Sequence, residues 1–225
     1  MKRVLSTLPI VTLFFIFLAI AACDSNSEDP NQNSTQSGHS ETQTDSEDAP
    51  DSTELHIQSI RNLYGEAMSV SKSSFERNCD DGALVVVVDT RKMNGKLVWI
   101  RHTAGYDHGS VSHEALISEN RVVFVMKEER RWNFDPDQPP SDSGESYTID
   151  QGEQHRYYFM DDQLIRSLFK SAEARSSKNE SLDKKLQEAP NRKHPAPDAG
   201  QALQKAKSIV SGFQDSGPNA FWCSL

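Results

Sequence analysis

The chain has 225 residues, with 33 acidic against 24 basic side chains and a formal net charge of −9 at pH 7. Nine acidic residues and no Lys or Arg fall between Asp24 and Glu54, so the acidity is concentrated in one segment and the remainder is close to neutral. Because nucleic-acid binding needs a basic surface that neutralises phosphates, we expect no nucleic-acid partner.

The first 22 residues have the pattern of a secretory signal peptide. Lys2 and Arg3 form a positively charged start, and a largely apolar stretch follows as far as Ala22. Its main apolar part, residues 10–22, contains Thr12 as its one polar residue and is shorter than the roughly 17–25 residues that a membrane-spanning helix needs. We therefore predict a cleaved signal peptide over residues 1–22.

The end of this stretch, Ile20-Ala21-Ala22-Cys23, resembles the lipobox of bacterial lipoproteins. The resemblance implies a diacylglycerol thioether on Cys23, cleavage just before it, and acylation of the new amino terminus, for example with palmitate. Two or three acyl chains suffice for stable membrane anchoring. An ordinary signal peptide with a chance cysteine, or an uncleaved anchor, are the alternatives.

The residue after this cysteine bears on the location within the cell envelope. Asp24 resembles the signal that retains lipoproteins in the inner membrane of enteric-type bacteria. We therefore expect a lipid-anchored protein that faces the periplasm, on the inner membrane in preference to the outer membrane, which stays open as an alternative.

Residues 23–52 form an acidic segment of low complexity. It is dominated by Ser, Thr, Asn, Gln, Asp and Glu, and no aliphatic residue lies between Asp24 and Ala49. Such a composition buries too little apolar surface to offset the entropy of ordering, so we predict a disordered tether. Repulsion between its carboxylates would extend it.

Two cysteines remain once Cys23 is assigned to the lipid. Cys79 and Cys223 belong to an exported domain in an oxidising compartment, which favours a disulfide between them. Closing so long a loop would stabilise the fold by ~4–5 kcal/mol. Two separate buried thiols are the alternative.

The rest of the chain, residues 53–225, is the size of one domain. Residues 53–70 carry apolar side chains at helical spacing, which predicts an amphipathic helix lying on a sheet. A second helix is predicted near the C-terminus, where the apolar residues of one face are Leu203, Ala206, Ile209, Val210 and Phe213.

A β-hairpin is predicted around Asn94-Gly95, because this pair favours a type I′ turn. The preceding run, residues 83–90, is apolar and β-branched, and residues 96–102 would form the returning strand. Counting back from the turn pairs Thr90 with Trp99 and Val88 with Arg101. Both faces of this hairpin are then apolar, so we expect each face to be covered.

Two further hairpins align without a gap at an offset of 42 residues. Their sequences are HEALISENRVV, residues 113–123, and HRYYFMDDQLI, residues 155–165, each with an acidic turn in the middle. The alignment raises the hypothesis of an internal duplication, with chance likeness as the alternative. The pattern also resembles uncharacterised bacterial lipoproteins with repeated aromatic hairpins, which implies no known activity.

The predicted fold class is α+β. We expect an antiparallel sheet of six to eight strands in a hairpin meander, flanked by one helix near each terminus. Within this single domain, residues 176–198 read as a polar linker with a short surface helix carrying Leu182 and Leu186. The charged run KEERRW, residues 127–132, reads as a solvated strand edge.

The histidines are the first candidates for a metal-binding or catalytic site. His102, His108 and His113 lie within twelve residues, but no H-E-x-x-H motif is present and we expect them to be solvated at one rim of the sheet. No G-x-S-x-G motif or phosphate-binding glycine loop occurs either. We predict no metal site, no cofactor and no catalytic residue.

Aromatic residues on the strands are the other candidates. Alternation sends Tyr157 and Phe159 to one face and Tyr158 to the other, and core packing is the default expectation, with glycan, peptide or protein recognition as the alternative. The leading hypothesis is a non-enzymatic envelope lipoprotein that binds a protein or glycan partner or supports envelope structure. An inhibitor or immunity-type lipoprotein acting on a hydrolase, and a small periplasmic hydrolase, are the alternatives.

Overall fold

One open antiparallel sheet organises the fold, with helices on both of its faces. The computed structural model describes residues 52–219 and Cys223. The predicted signal peptide, the lipidation site at Cys23, the neighbouring Asp24 and the predicted tether as far as residue 51 lie outside the described residues. Ser52, predicted as the last tether residue, already begins the first helix.

The sheet is an eight-stranded meander in which every strand pairs antiparallel with the next. The strands are β1 Lys72–Cys79, β2 Leu84–Met93, β3 Lys96–Tyr106, β4 Gly109–Ser118, β5 Arg121–Phe134, β6 Thr148–Met160, β7 Gln163–Arg175 and β8 Arg192–Lys193. This confirms the predicted α+β class with a hairpin meander. It also corrects the interpretation of residues 127–132, because β5 is paired on both sides and is no edge.

Three helices accompany the sheet: α1 Ser52–Ser69, α2 Leu182–Glu188 and α3 Ala199–Ser216. The apolar side of α1 packs on a core that includes Trp99 and Leu116. The apolar side of α3 packs on the opposite face, where Ile100 and Val125 lie. Alternation along the strands therefore fills two cores, and the prediction that both faces are covered is confirmed.

The same alternation places the aromatic residues of β6. Tyr157 and Phe159 are buried in the core on the α3 side, whereas Tyr158 is buried in the core on the α1 side. The predicted distribution of these three rings is confirmed, and core packing accounts for them. The hydroxyl of Tyr157 also donates to Asp198 Oδ1 at 3.0 Å, which ties the sheet to the first turn of α3.

The first hairpin departs from the predicted register by one residue. Asn94 and Gly95 form the turn with positive φ, as expected. However, Thr90 pairs with Ile100 and Val88 with His102, so the predicted partners Trp99 and Arg101 are wrong. A β-bulge causes the difference: the register shifts between Arg91 and Lys92, which leaves an extra residue on β3.

This bulge decides which side chains reach which face. A shift of one residue moves every side chain of a strand to the other side of the sheet. Arg101 therefore joins the α1 face, and His102 joins the α3 face. The hairpins β4–β5 and β6–β7 carry the same two-residue turn and a register shift at the equivalent position, which supports the internal-repeat hypothesis and extends it to the first hairpin.

The C-terminal part of the domain contains more structure than a linker. The expected short helix is α2, but it packs on β6 and β7, and Leu186 is buried. Gly152 makes this close approach possible, since a Cβ there would lie 2.8 Å from Leu186 Cδ1. Residues 192–193 add the short strand β8 to β7.

Cys79 and Cys223 lie at disulfide distance, with their Cα atoms 6.0 Å apart. The predicted pair of cysteines is thus brought together. Cys79 is the buried last residue of β1, so the contact links an edge strand to the chain beyond α3. Among the described helices, none combines the length and apolarity needed to cross a bilayer.

Candidate functional site

A strip of the sheet between α1 and α2 stays uncovered and forms a cavity of about 600 Å³. We call it the inter-helix groove. Its floor is formed by side chains from the α1 face of four strands: Arg101, Met126, Gln154, Arg156, Tyr158 and Lys170. Its walls are the last turn of α2 and the middle of α1, where Ile60 and Tyr64 lie.

The floor changes character along the strands. Towards the β4–β5 and β6–β7 turns the floor is apolar. There the rings of Phe124 and Tyr158 are in edge-to-face contact, with their centroids 5.0 Å apart. The next row of cross-strand partners, two residues further along each strand, consists of Arg101, Glu114, Met126 and Arg156. The groove is therefore apolar at the α1 end and charged at the α2 end, as sites for amphipathic small molecules often are.

An ion pair occupies the β3–β4 side of the groove. Glu114 is only 1% exposed and accepts from Arg101 Nε at 3.0 Å and from Nη2 at 2.7 Å. Both nitrogens contact the same carboxylate oxygen, Oε2, so the guanidinium is held by two charge-assisted contacts to one oxygen atom. Burial and the neighbouring Glu114 carboxylate raise the pKa of Tyr64, so its phenol stays protonated.

A second network occupies the α2 end. The carboxylate of Glu128 is buried and accepts from Arg130 Nε at 2.6 Å and from the side-chain amide of Gln154. Arg130 Nη2 also donates to Asp183 of α2 at 2.6 Å. Arg130 thus bridges two carboxylates and fixes α2 to the sheet.

Two cations of the groove floor have no carboxylate partner among the residues that the structure describes. Lys170 is only 6% exposed, and its ammonium donates to the backbone oxygen of Leu186. Arg156 donates from Nη2 to the amide oxygen of Gln154 at 2.9 Å, and its Nε is buried with no hydrogen-bond partner among the described residues. Burial, and then the charge of Arg156, lower the pKa of Lys170.

The histidine cluster expected at one rim is divided between two places. His102 and His113 face each other across β3 and β4 beneath α3, and His102 is 3% exposed, so the expected solvation is wrong for it. These two histidines do not lie at the rim of the sheet, because β3 continues beyond His102 as far as Tyr106. His108 lies in the following turn, with its ring tilted by 45° against that of Trp132 and the two ring centroids 4.4 Å apart. The described residues contain no group of three or more side chains placed to hold a metal ion.

We expect the stability of the fold to fall below pH 6.5 through His113. Burial, then the charges of Lys205, His102 and Lys127, lower its pKa from 6.5 to about 4. On acidification the unfolded chain therefore takes up this proton first, which costs the folded state about 2 kcal/mol by pH 5 and roughly 3 kcal/mol by pH 4. Above pH 6.5 both states are neutral at this position and the cost vanishes.

Urea unfolding of the wild type and of His113→Gln at pH 7 and pH 5 measures this pH-dependent loss of stability. The variant should lose about 2 kcal/mol less than the wild type between the two pH values. His108→Gln, in the turn, should follow the wild type. An identical pH dependence for wild type and His113→Gln would show that His113 is not the group responsible.

Exposed and partly exposed aromatic rings lie at the end of the sheet opposite to the β2–β3, β4–β5 and β6–β7 turns. Phe134 is 60% exposed, and its ring lies 5.5 Å from that of Trp132. Tyr106 is also exposed nearby, at the far end of β3. The acidic loop between β5 and β6 follows Phe134 directly. We call Trp132 and Phe134 the aromatic cluster, because Tyr106 lies in register with Arg131 on the other face of the sheet.

The groove was not predicted, and two charged residues at its α2 end, Glu128 and Arg130, were assigned to a solvated strand edge. The sequence did contain a signal. On the face of the sheet that carries Trp99 and Leu116, charged side chains lie two residues away from apolar ones along the same strand. The groove can bind and orient a polar group through fixed donors, and the aromatic cluster can stack on a partner.

No model of a known protein family, no curated protein and no solved structure matches this chain.

Proposed function

We propose that this protein is a lipid-anchored cell-envelope protein whose folded unit is a non-enzymatic binding module, with the inter-helix groove as its binding site. The observation that carries the proposal is the open groove of about 600 Å³, whose floor holds two cations that have no carboxylate partner within the described part of the chain. A volume of this size is typical of sites for small molecules or for a single group of a larger partner.

The resemblance of residues 20–23 to a lipobox supports the location. Acylated Cys23 would hold the module at the membrane, and the acidic segment after it would keep the module away from the lipid surface. The proposal places the protein on the periplasmic side, with the inner membrane favoured by Asp24. The groove then meets envelope components or solutes of the periplasm.

Replacing Cys23 with serine should release the protein from membranes and abolish incorporation of labelled palmitate, because the thioether needs the sulfur atom. Ser25→Ala, two residues further on, should leave both unchanged. Fractionation of cells that express each variant measures the outcome. Continued membrane association of Cys23→Ser would contradict lipid anchoring.

A groove-filling variant tests the binding site. Leu168 lines the groove on β7, so Leu168→Trp should occupy the space that a ligand needs. Leu164→Trp adds the same ring to the same strand at an exposed position and serves as the control. Native mass spectrometry of each protein after incubation with cell-envelope extract should show a bound mass for the wild type and Leu164→Trp but not for Leu168→Trp. Absence of any bound mass, or its persistence in Leu168→Trp, would contradict the proposal.

The aromatic cluster favours a second candidate function, an inhibitor or immunity-type lipoprotein that binds an attacking hydrolase. Trp and Phe side chains at a surface are typical anchors of protein interfaces. Their position beside the acidic loop adds carboxylates that could face a basic active-site cleft. If this candidate is correct, Trp132→Ala should abolish protection against the hydrolase, whereas Leu168→Trp should preserve it.

A further inference from the structure

We propose that the inter-helix groove binds a small organic anion, whose carboxylate or phosphate is held by Arg156 and Lys170 and whose apolar part lies against Phe124, Tyr158 and Leu168. This inference rests on the proposed function, since it assumes that the groove is a binding site, and it adds the chemical class of the ligand.

The charge pairing inside the groove singles out these two cations. Arg101 is neutralised by Glu114 and Arg130 by Glu128 and Asp183. Arg156 and Lys170 donate only to uncharged oxygen atoms in the described part of the chain. Lys170 is buried and Arg156 is partly exposed. A charge that is removed from water without a partner of opposite sign is unfavourable, so an anion would complete the network.

The two cations are neighbours on the floor of the sheet. Arg156 pairs across β6 and β7 with Leu168, and Lys170 is two residues further along β7 on the same face. Diagonal neighbours of this kind are within reach of one oxyanion when the side chains are long. Among the described residues, the guanidinium of Arg156 has one side-chain hydrogen bond, to Gln154, for its five N–H donors, and the Lys170 ammonium has three hydrogens for one carbonyl partner.

The apolar end of the groove argues for an organic anion in preference to an inorganic one. Phe124, Tyr158 and Leu168 line the cavity next to the cations, and Ile60 of α1 lies above them. An aromatic or short aliphatic body there would be removed from water, which is favourable in proportion to the apolar area buried. A ligand with an anionic group at one end and an apolar part at the other therefore matches the groove, which is charged at one end only.

Three probes separate the contributions of charge and apolar body. Isothermal titration calorimetry with the full chain, purified from membranes in a non-ionic detergent, would compare 1-naphthyl phosphate, 1-naphthol and inorganic phosphate, with titrations into detergent alone subtracted. We expect 1-naphthyl phosphate to bind at least about tenfold more tightly than either of its parts, since charge-assisted hydrogen bonds and apolar burial would act together.

Two variants test the roles of the cations. Arg156→Gln and Lys170→Gln should each weaken binding of 1-naphthyl phosphate about tenfold or more and leave that of 1-naphthol unchanged. Arg131→Gln removes an exposed cation outside the groove and should have no effect. Circular dichroism and thermal unfolding would verify that each variant is folded. Arg156 is partly exposed, so its variant keeps the test valid if Lys170→Gln fails to fold.

The outcomes distinguish this inference from the proposal on which it rests. Equal affinity for 1-naphthol and 1-naphthyl phosphate, with no effect of Arg156→Gln, would overturn the anion specificity and leave the groove as an apolar binding site. No binding of any probe would overturn the inference as well, while the comparison of Leu168→Trp with Leu164→Trp decides independently whether the groove binds a natural ligand.

Discussion

Replacing both Cys79 and Cys223 with serine should lower the free energy of unfolding by about 5 kcal/mol. The two cysteines are 144 residues apart, so their bond restricts almost the whole described domain in the unfolded state. Loop-entropy theory gives the largest stabilisation for the longest loops. Urea unfolding of the double variant against the oxidised wild type measures the difference.

The position of Cys79 explains why the loss should be felt locally as well. β1 is an edge strand whose residues are exposed except for Cys79 at its end. The bond therefore holds this strand and the chain beyond α3 in place. Ser74→Ala, on the exposed side of β1, should change stability by less than about 0.5 kcal/mol. A loss below about 1 kcal/mol in the double variant would contradict the predicted role of the bond.

Replacing Glu114 with glutamine should destabilise the fold by about 3 kcal/mol. The carboxylate is buried and neutralises Arg101 beside the groove, so the variant leaves a guanidinium in a low-dielectric environment without its counter-charge. The partial exposure of Arg101 keeps the expected loss at the lower end of the range for buried ion pairs. Chemical unfolding at pH 7 measures the change.

A double-mutant cycle separates the ion pair from other effects of the Glu114 substitution. Arg101→Gln combined with Glu114→Gln should be less destabilising than the sum of the single variants, by about 1–3 kcal/mol. Glu119→Gln removes a comparable carboxylate from an exposed turn, where it lies 3.8 Å from Arg121, and should cost less than about 1 kcal/mol. Additive single changes would show that Glu114 and Arg101 are not coupled.

The elements of the fold could be predicted from local patterns. Asn94-Gly95 marks a turn because both positions need positive φ, and the alternation of Tyr157, Tyr158 and Phe159 assigns each ring to a face whatever the neighbouring strands are. The two-faced apolar pattern likewise required a cover on each side. These properties depend on a few adjacent residues, so they can be recognised without knowing the tertiary structure.

The candidate site could not be predicted in the same way. The pairing of Arg101 with Glu114 requires β3 to continue through Gly105 to a turn at residues 107–108, whereas the predicted strand ended at residue 102. The proximity of Arg156 and Lys170 depends on the bulge near the β6–β7 turn. A single bulge changes the register of a whole strand, and its position is set by packing against the helices as much as by the local residues.

The sequence by itself determined the class of the fold, the meander of hairpins, the two covered faces and the pair of cysteines that come together. Each of these follows from periodicity, turn chemistry or the small number of cysteines. Only the tertiary structure decided that α1 and α2 cover separate parts of one face and leave a strip of charged side chains between them. The physical reason is that a strand sequence specifies which side chains share a face, whereas the parts of that face that are shielded from water depend on where distant helices pack.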